Sequence, residues 1–140
     1  MTDDGFAKAV EQQAAASAAM QNGDPAPMID CWADSDEITL FGARATFEKG
    51  YKAITDTMRW VGTLFAGEDA GETDHIVVAS SGDLGYTVGF ERGRVSFEGG
   101  PPRDMVVRVT HIYRRIDGDW KVVHRHADFP PADPRKTSAG

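Results

Sequence analysis

Residues 103–128 read RDMVVRVTHIYRRIDGDWKVVHRHAD, two strand-like runs about a single Asp-Gly step. The first run, 106–116, is dense in β-branched and aromatic side chains, and the second, 120–127, is similar but shorter. Asp117-Gly118 between them predicts a tight two-residue turn, because the type I′ geometry needs positive φ and Gly adopts it at little cost. A long antiparallel hairpin is therefore expected here, with the upstream chain packing onto it.

Working back from the hairpin, the spacing of apolar residues predicts further elements. The run 97–103 holds Gly99-Gly100-Pro101-Pro102 and is expected to be irregular. Strands are expected over 84–95 and 73–80, turned at 81–83, and Gly85, Gly89 and Gly93 suggest bulges or strong curvature. Tyr51, Ile54, Met58, Val61 and Phe65 recur at three and four, which predicts a helix over 48–65, with Gly50 pushing its true start later. Residues 67–71 are read as an acidic loop and 42–46 as another. A short strand is expected over 38–41, at the rim and not in the main sheet. Near the start, Phe6, Val10, Ala14 and Ala18 mark a helix over 5–22, stopped by Gly23; Asp24-Pro25 then opens a second helix over 25–32. Residues 129–140 lack apolar periodicity and read as a flexible tail after a single domain over 5–128. Helices followed by antiparallel strands define an α+β class: a cone of three N-terminal helices on a curved antiparallel sheet, with a pocket at its mouth.

Composition narrows the function classes. With 140 residues, 41% hydrophobic and 26% charged, the chain is long enough to bury one substantial core. A formal net charge of −7 argues against nucleic acid as a partner, since phosphate neutralisation requires a surplus of Lys and Arg. The pairs Arg92/Arg94 and Arg114/Arg115 read as solvated edges. The single Cys31 sits in an apolar helical context and reads as a small core residue. No run of apolar residues is long enough to span a membrane, and the acidic start does not resemble a secretory signal, so a cytoplasmic protein is expected.

Several side chains are candidates for chemistry. His111 on the first hairpin strand could serve as acid, base or donor near neutral pH, or could simply be a structural histidine. His124 and His126, two apart, have metal-ligand spacing that Asp128 or His75 could complete; the preferred reading is a buried sheet face, with no metal and no cofactor. Alternation puts Trp120, Val122, His124 and His126 on one face of the last strand and Val123, Arg125 and Ala127 on the other, unless a bulge intervenes. Trp32, Phe41, Met58, Trp60, Phe65, Tyr86 and Phe90 could line a cavity for a small hydrophobic molecule, some of them serving equally as core. Asp34, Asp36 and Glu37 read as a solvated loop.

The element order and the hairpin text resemble the nuclear-transport-factor-2-like superfamily, and within it the SnoaL-like branch and the association domain of calcium/calmodulin-dependent protein kinase II. The residues that carry the resemblance are Arg108-Val-Thr110 and the run from Arg114 through Asp117-Gly118 and Trp120 to His124 and His126, together with Gly50-Tyr51-Lys-Ala-Ile54. The resemblance implies a cone with His111, Tyr113, Val123 and Arg125 turned toward its pocket. Ketosteroid isomerase carries its catalytic aspartate at the end of the rim strand; Leu40 or Phe41 stands there in this sequence, and neither can take a proton. The arginines that line the kinase domain's pocket correspond to Val88, His111 and Ala127, so that anion site is mostly lost. Two functions follow from the resemblance. One is proton-transfer catalysis on a small hydrophobic carbonyl compound, with His111 as acid/base, Tyr113 or Tyr86 as donor to an enolate oxygen and Arg125 as charge partner. The other is a non-catalytic ligand-binding or dimerisation module. A homodimer through the sheet face is expected in both, with Trp120, Val122 and Ile112 on that face.

Overall fold

The computed structural model describes residues 4–44, 47–67, 71–132 and 135. Two helices come first, α1 (Asp4–Gln21) and α2 (Ala26–Cys31), followed by the short strands β1 (Thr39–Phe41) and β2 (Glu48–Lys49). Helix α3 (Tyr51–Gly62) then leads into β3 (Phe65–Gly67), β4 (Glu72–Ser81), β5 (Leu84–Phe97), β6 (Arg103–Ile116) and β7 (Asp119–Asp128). The architecture is the expected α+β cone, but only two helices precede the first strand; the third follows a small β1–β2 hairpin. Gly50 is the joint, at φ 91°, so the chain leaves β2 in a conformation that favours Gly and turns directly into α3. What reads as one helix over 48–65 is thus a strand end, a helix and a strand start.

The seven strands form one sheet in the order β2-β1-β7-β6-β5-β3, with β4 also paired to β5. All pairings are antiparallel except that of β1 with β7. The rim strand therefore belongs to the main sheet, contrary to expectation: Leu40 pairs with Arg125 and Phe41 with His126. Asp117 and Gly118 both take positive φ, 51° and 86°, which is the type I′ turn that the Asp-Gly step calls for.

Two irregularities set which side chains face inward. Between β6 and β7 the register shifts, so that Tyr113 pairs with Val122 while Ile112 pairs with His124, and Val123 is the extra residue. Parity reverses there. Trp120 and Val122 join the concave side and are buried in the core, as is Ala127 beyond the bulge, while His126 is exposed on the convex side. The expected outward face containing Trp120 and Val122 does not exist; Ile112 alone of that set is exposed. A second shift, in β4 between His75 and Val77, lies opposite Gly89.

Helix α1 lies across the concave face. Its buried side chains are Phe6, Ala9, Val10, Gln13, Ala16, Ser17, Met20 and Gln21, not the expected Ala14 and Ala18, because a spacing of four overshoots the 3.6-residue turn and the stripe drifts back. The glycines of β5 permit the contact. A Cβ on Gly85 would lie 2.6 Å from the Phe6 ring, and one on Gly93 would strike the Gln21 amide. Phe6 in turn packs edge-on against Tyr113, centroids 5.0 Å apart, and against Trp120 at 4.9 Å. Among the described residues no helix is long and apolar enough to cross a membrane.

Candidate functional site

A cavity of about 90 Å³ lies between the three helices and the concave face of the sheet. One water needs roughly 10–15 Å³ by this kind of measure, so several non-hydrogen atoms fit. Four of the five methionines line it, Met20, Met28, Met58 and Met105, together with Leu40, Val61, Phe65 and Val107. Unbranched thioethers give a wall that adapts to different shapes. The charged groups on the lining are Glu91, Arg125 and Arg44.

Glu91 and Arg125 form a buried pair. Arg125 Nη1 donates to Glu91 Oε2 at 2.7 Å, and Nη2 donates to Oε1 at 2.8 Å. This bidentate arrangement is the strongest form of the contact. Burial by itself would raise the Glu91 pKa, but the Arg125 charge and hydrogen bonds overcome it, with smaller help from His111 and the Ser17 hydroxyl. Glu91 stays below the ordinary carboxylate range and ionised. Arg125 Nη1 also lies 3.1 Å from His111 Nε2. A guanidinium can only donate, so Nε2 is the acceptor and the imidazole proton sits on Nδ1. Burial, reinforced by the Arg125 charge, holds the His111 pKa down at about 3, with Glu91 opposing.

His111 is thus fully buried and neutral, with its basic nitrogen committed to Arg125; it is not the half-buried titrating base that the sequence suggests, and it does not line the cavity. Tyr113 is buried beneath Phe6, beside the Thr87 hydroxyl but without a well-formed hydrogen bond, and burial pushes its pKa up. Arg125 is a charge partner, and its partner is Glu91. Strand β5 does show why Glu91 faces inward: Thr87, Gly89, Glu91, Gly93 and Val95 alternate with Tyr86, Val88, Phe90, Arg92 and Arg94. A lone carboxylate in the row of small residues was the available signal.

The predicted cavity aromatics are mostly elsewhere. Met58 and Phe65 line the cavity, whereas Trp32 is buried in the adjoining core. Trp60 is 50% exposed on the outer side of α3, and Tyr86 is exposed on the convex face of the sheet. Phe90 lies on that same face under the Arg92 guanidinium, 5.0 Å from its ring centroid. Phe41 is exposed at the rim, edge-on to Phe47, His124 and His126. Side chains alternate across a strand, so Tyr86 and Phe90 cannot share the inner face with Glu91.

The histidine pair is divided between other tasks. His124 Nδ1 shares a 2.7 Å hydrogen bond with Thr39 Oγ1, and Asp128 receives two hydrogen bonds from Arg108. Among the described residues no three His, Cys, Asp or Glu side chains are grouped to hold a metal. Burial pushes the Cys31 thiol up to about 11, which leaves it protonated and unreactive. Asp34, Asp36 and Glu37 are exposed, as a solvated loop requires.

A helix-backed cone around a small cavity is the architecture of the nuclear-transport-factor-2-like superfamily. A Salmonella enterica Typhimurium protein of that superfamily superposes with a TM-score of 0.75 at 14% identity, over 96% of each chain. A ketosteroid isomerase-like protein from Erwinia carotovora atroseptica gives 0.76 at 13% identity, over 94% of this chain and 100% of that one. A candidate calcium/calmodulin-dependent protein kinase type II association domain from Thiobacillus denitrificans gives 0.69 at 21% identity, covering 88% and 93%. Residues 10–132 match the model of the SnoaL-like domain, and the chain belongs to that family. No curated protein is significantly similar in sequence.

Two outcomes follow from the buried network. Arg125→Met leaves the Glu91 carboxylate buried without a counter-ion and should cost about 3–5 kcal/mol in urea unfolding, whereas Arg125→Met with Glu91→Leu should recover most of that loss. Equal stability of the single and double variants would contradict the pairing. The second outcome concerns pH. The folded pKa of His111 lies below its ordinary 6.5, so the folded state binds fewer protons than the unfolded state. Its contribution is complete above pH 6.5 and is lost as pH falls toward about 3. The slope is at most about 1.4 kcal/mol per pH unit. His75 and His124 are also lowered by burial. Unfolding free energies measured across this window should therefore fall less steeply for His111→Gln, which keeps an acceptor for Arg125, but should not become flat.

Proposed function

We propose that the protein binds a small, mostly apolar molecule in the cone and does not transform it. The observation that carries this reading is the state of the inner acid and base: Glu91 is ionised and clamped by Arg125, and the accepting nitrogen of His111 is occupied. A general base needs a free lone pair and a pKa near the working pH, and neither group has both. The wall around them is thioether and hydrocarbon, suited to holding an apolar body.

Proton-transfer catalysis on a hydrophobic carbonyl compound is the weaker reading. In its favour, solved structures of similar fold include the ketosteroid isomerase-like protein and a dehydratase candidate from Streptomyces avermitilis, but at 13% and 18% identity these speak for the fold alone. The catalytic roles for His111 and Tyr113 would require the buried network to open, and Leu40 supplies no acid at the rim.

A homodimer through the convex sheet face belongs to the same proposal. Its support is now Leu84, Tyr86 and Ile112, apolar and exposed side by side with Ala79, and not the buried Trp120 and Val122.

Methionine-methyl NMR tests the ligand reading directly. Short branched ketones, alcohols and amides should shift the methyls of Met20, Met28, Met58 and Met105, remain chemically unchanged on incubation, and lose their effect in the cavity-filling variant Val61→Trp. Turnover of any of them would move the assignment to the catalytic reading. Sedimentation at micromolar concentration tests the assembly: the wild type should be a dimer, and Tyr86→Glu with Ile112→Glu a folded monomer. A monomeric wild type would remove the interface.

A further inference from the structure

The inference here rests on the cavity being the ligand site and concerns the chemistry of the ligand's head. Past β1 the chain runs through Gly42 and Ala43 to Arg44, which lines both the cavity and a shallow groove outside it. Phe129, from the segment after β7, is common to the same two surfaces. Arg44 thus stands at the mouth. Its guanidinium carbon is 3.6 Å from the Phe97 ring centroid and 4.8 Å from that of Phe129. Aromatic faces satisfy the flat cationic surface of a guanidinium but none of its N–H groups.

The Nε of Arg44 is buried and has no hydrogen-bond partner among the described residues. A buried donor left in this state is costly, and natural structures seldom leave one without a reason. Among the described residues no ion pair neutralises the charge. The groups that act on Arg44 are Arg103 and Glu98, of opposite sign. Among the described lining residues the one carboxylate, Glu91, is already held by Arg125. With Glu91 and Arg125 cancelling, the described lining leaves the charge of Arg44, at the mouth, without an ion-pair partner.

We propose that Arg44 is the head-group residue of this cavity, and that the ligand is a small carboxylate whose apolar body occupies the methionine-lined chamber. A carboxylate there accepts from the two Nη groups in the parallel fork that guanidinium offers, while the two rings keep the fork's plane. One arginine matches a monoanion, whereas a phosphate ester would bring a second charge to a mouth with one described cationic side chain. The body enters first and the charge stays nearest to solvent, which keeps the desolvation cost low.

The test uses two ligands of equal shape, 3-methylbutanoate and 3-methylbutanamide, titrated into the wild type and Arg44→Gln by calorimetry and methionine-methyl NMR at neutral pH. The wild type should bind the carboxylate roughly tenfold or more tightly than the amide, the worth of one charge-assisted contact. Arg44→Gln should abolish the preference for the carboxylate, the amide losing far less affinity than the carboxylate, in a variant that still shows the native methionine-methyl spectrum. Equal binding of both ligands by the wild type, or a preference that survives Arg44→Gln, overturns the assignment of Arg44 while the cavity reading stands. Methyl shifts from neither ligand overturn both.

Discussion

A carboxylate and a guanidinium withdrawn from water together set the terms for the concave face of this protein. Glu91 stands on β5, His111 on β6 and Arg125 on β7, and the three side chains meet across adjacent strands. A buried pair of this kind returns about what its desolvation costs, whereas removal of either partner strands the other charge. A one-residue slip between these strands would turn either Glu91 or Arg125 to the convex side and leave the other charge buried alone. The bulge at Val123 is part of the same arrangement, since it brings Arg125 to the inner face alongside Trp120 and Val122.

Glu91 and the accepting nitrogen of His111 are both held by Arg125. The neighbouring space is walled by methionines, and α1 comes close enough to roof it because Gly85 and Gly93 present no side chain to Phe6 and Gln21. The same scaffold could host a free aspartate at the rim, but Leu40 continues the apolar wall there. The reactive features that survive are at the edge, where Arg44 lies between two phenylalanine rings. Shape and polarity are thus divided between an adaptable apolar interior and a charged entrance.

Much of the fold was legible because its signals are local. Asp117-Gly118 dictates the turn through backbone φ, and the alternation of 84–95 and 106–116 marks strands wherever one face is buried. The errors fall where local pattern and packing part. Residues 48–65 keep a helical apolar spacing through Gly50 and Phe65, yet the sheet claims both ends as β2 and β3. Phe41, Trp60, Tyr86 and Phe90 look like cavity residues by size alone, but strand parity and helix orientation put them on outer surfaces. Glu91 went unread because an acidic residue in a strand ordinarily signifies solvent.

The chain's own text was sufficient for the class of the domain, the long hairpin and the burial of the inner face of β6, since turn chemistry and a two-residue period act over a few neighbours. It also contained Arg125 and His111 as polar residues on strands of apolar pattern. Which way they turn, and what they touch, came from contacts between residues 34 and 14 positions apart. A single inserted residue in β7 reverses the parity of everything beyond it, and nothing in the composition of Val122-Val123-His124 announces that insertion. The role of Arg44 is likewise a product of assembly: its rings come from the end of β5 and from beyond β7, and only the closed cone brings them to the mouth of one cavity.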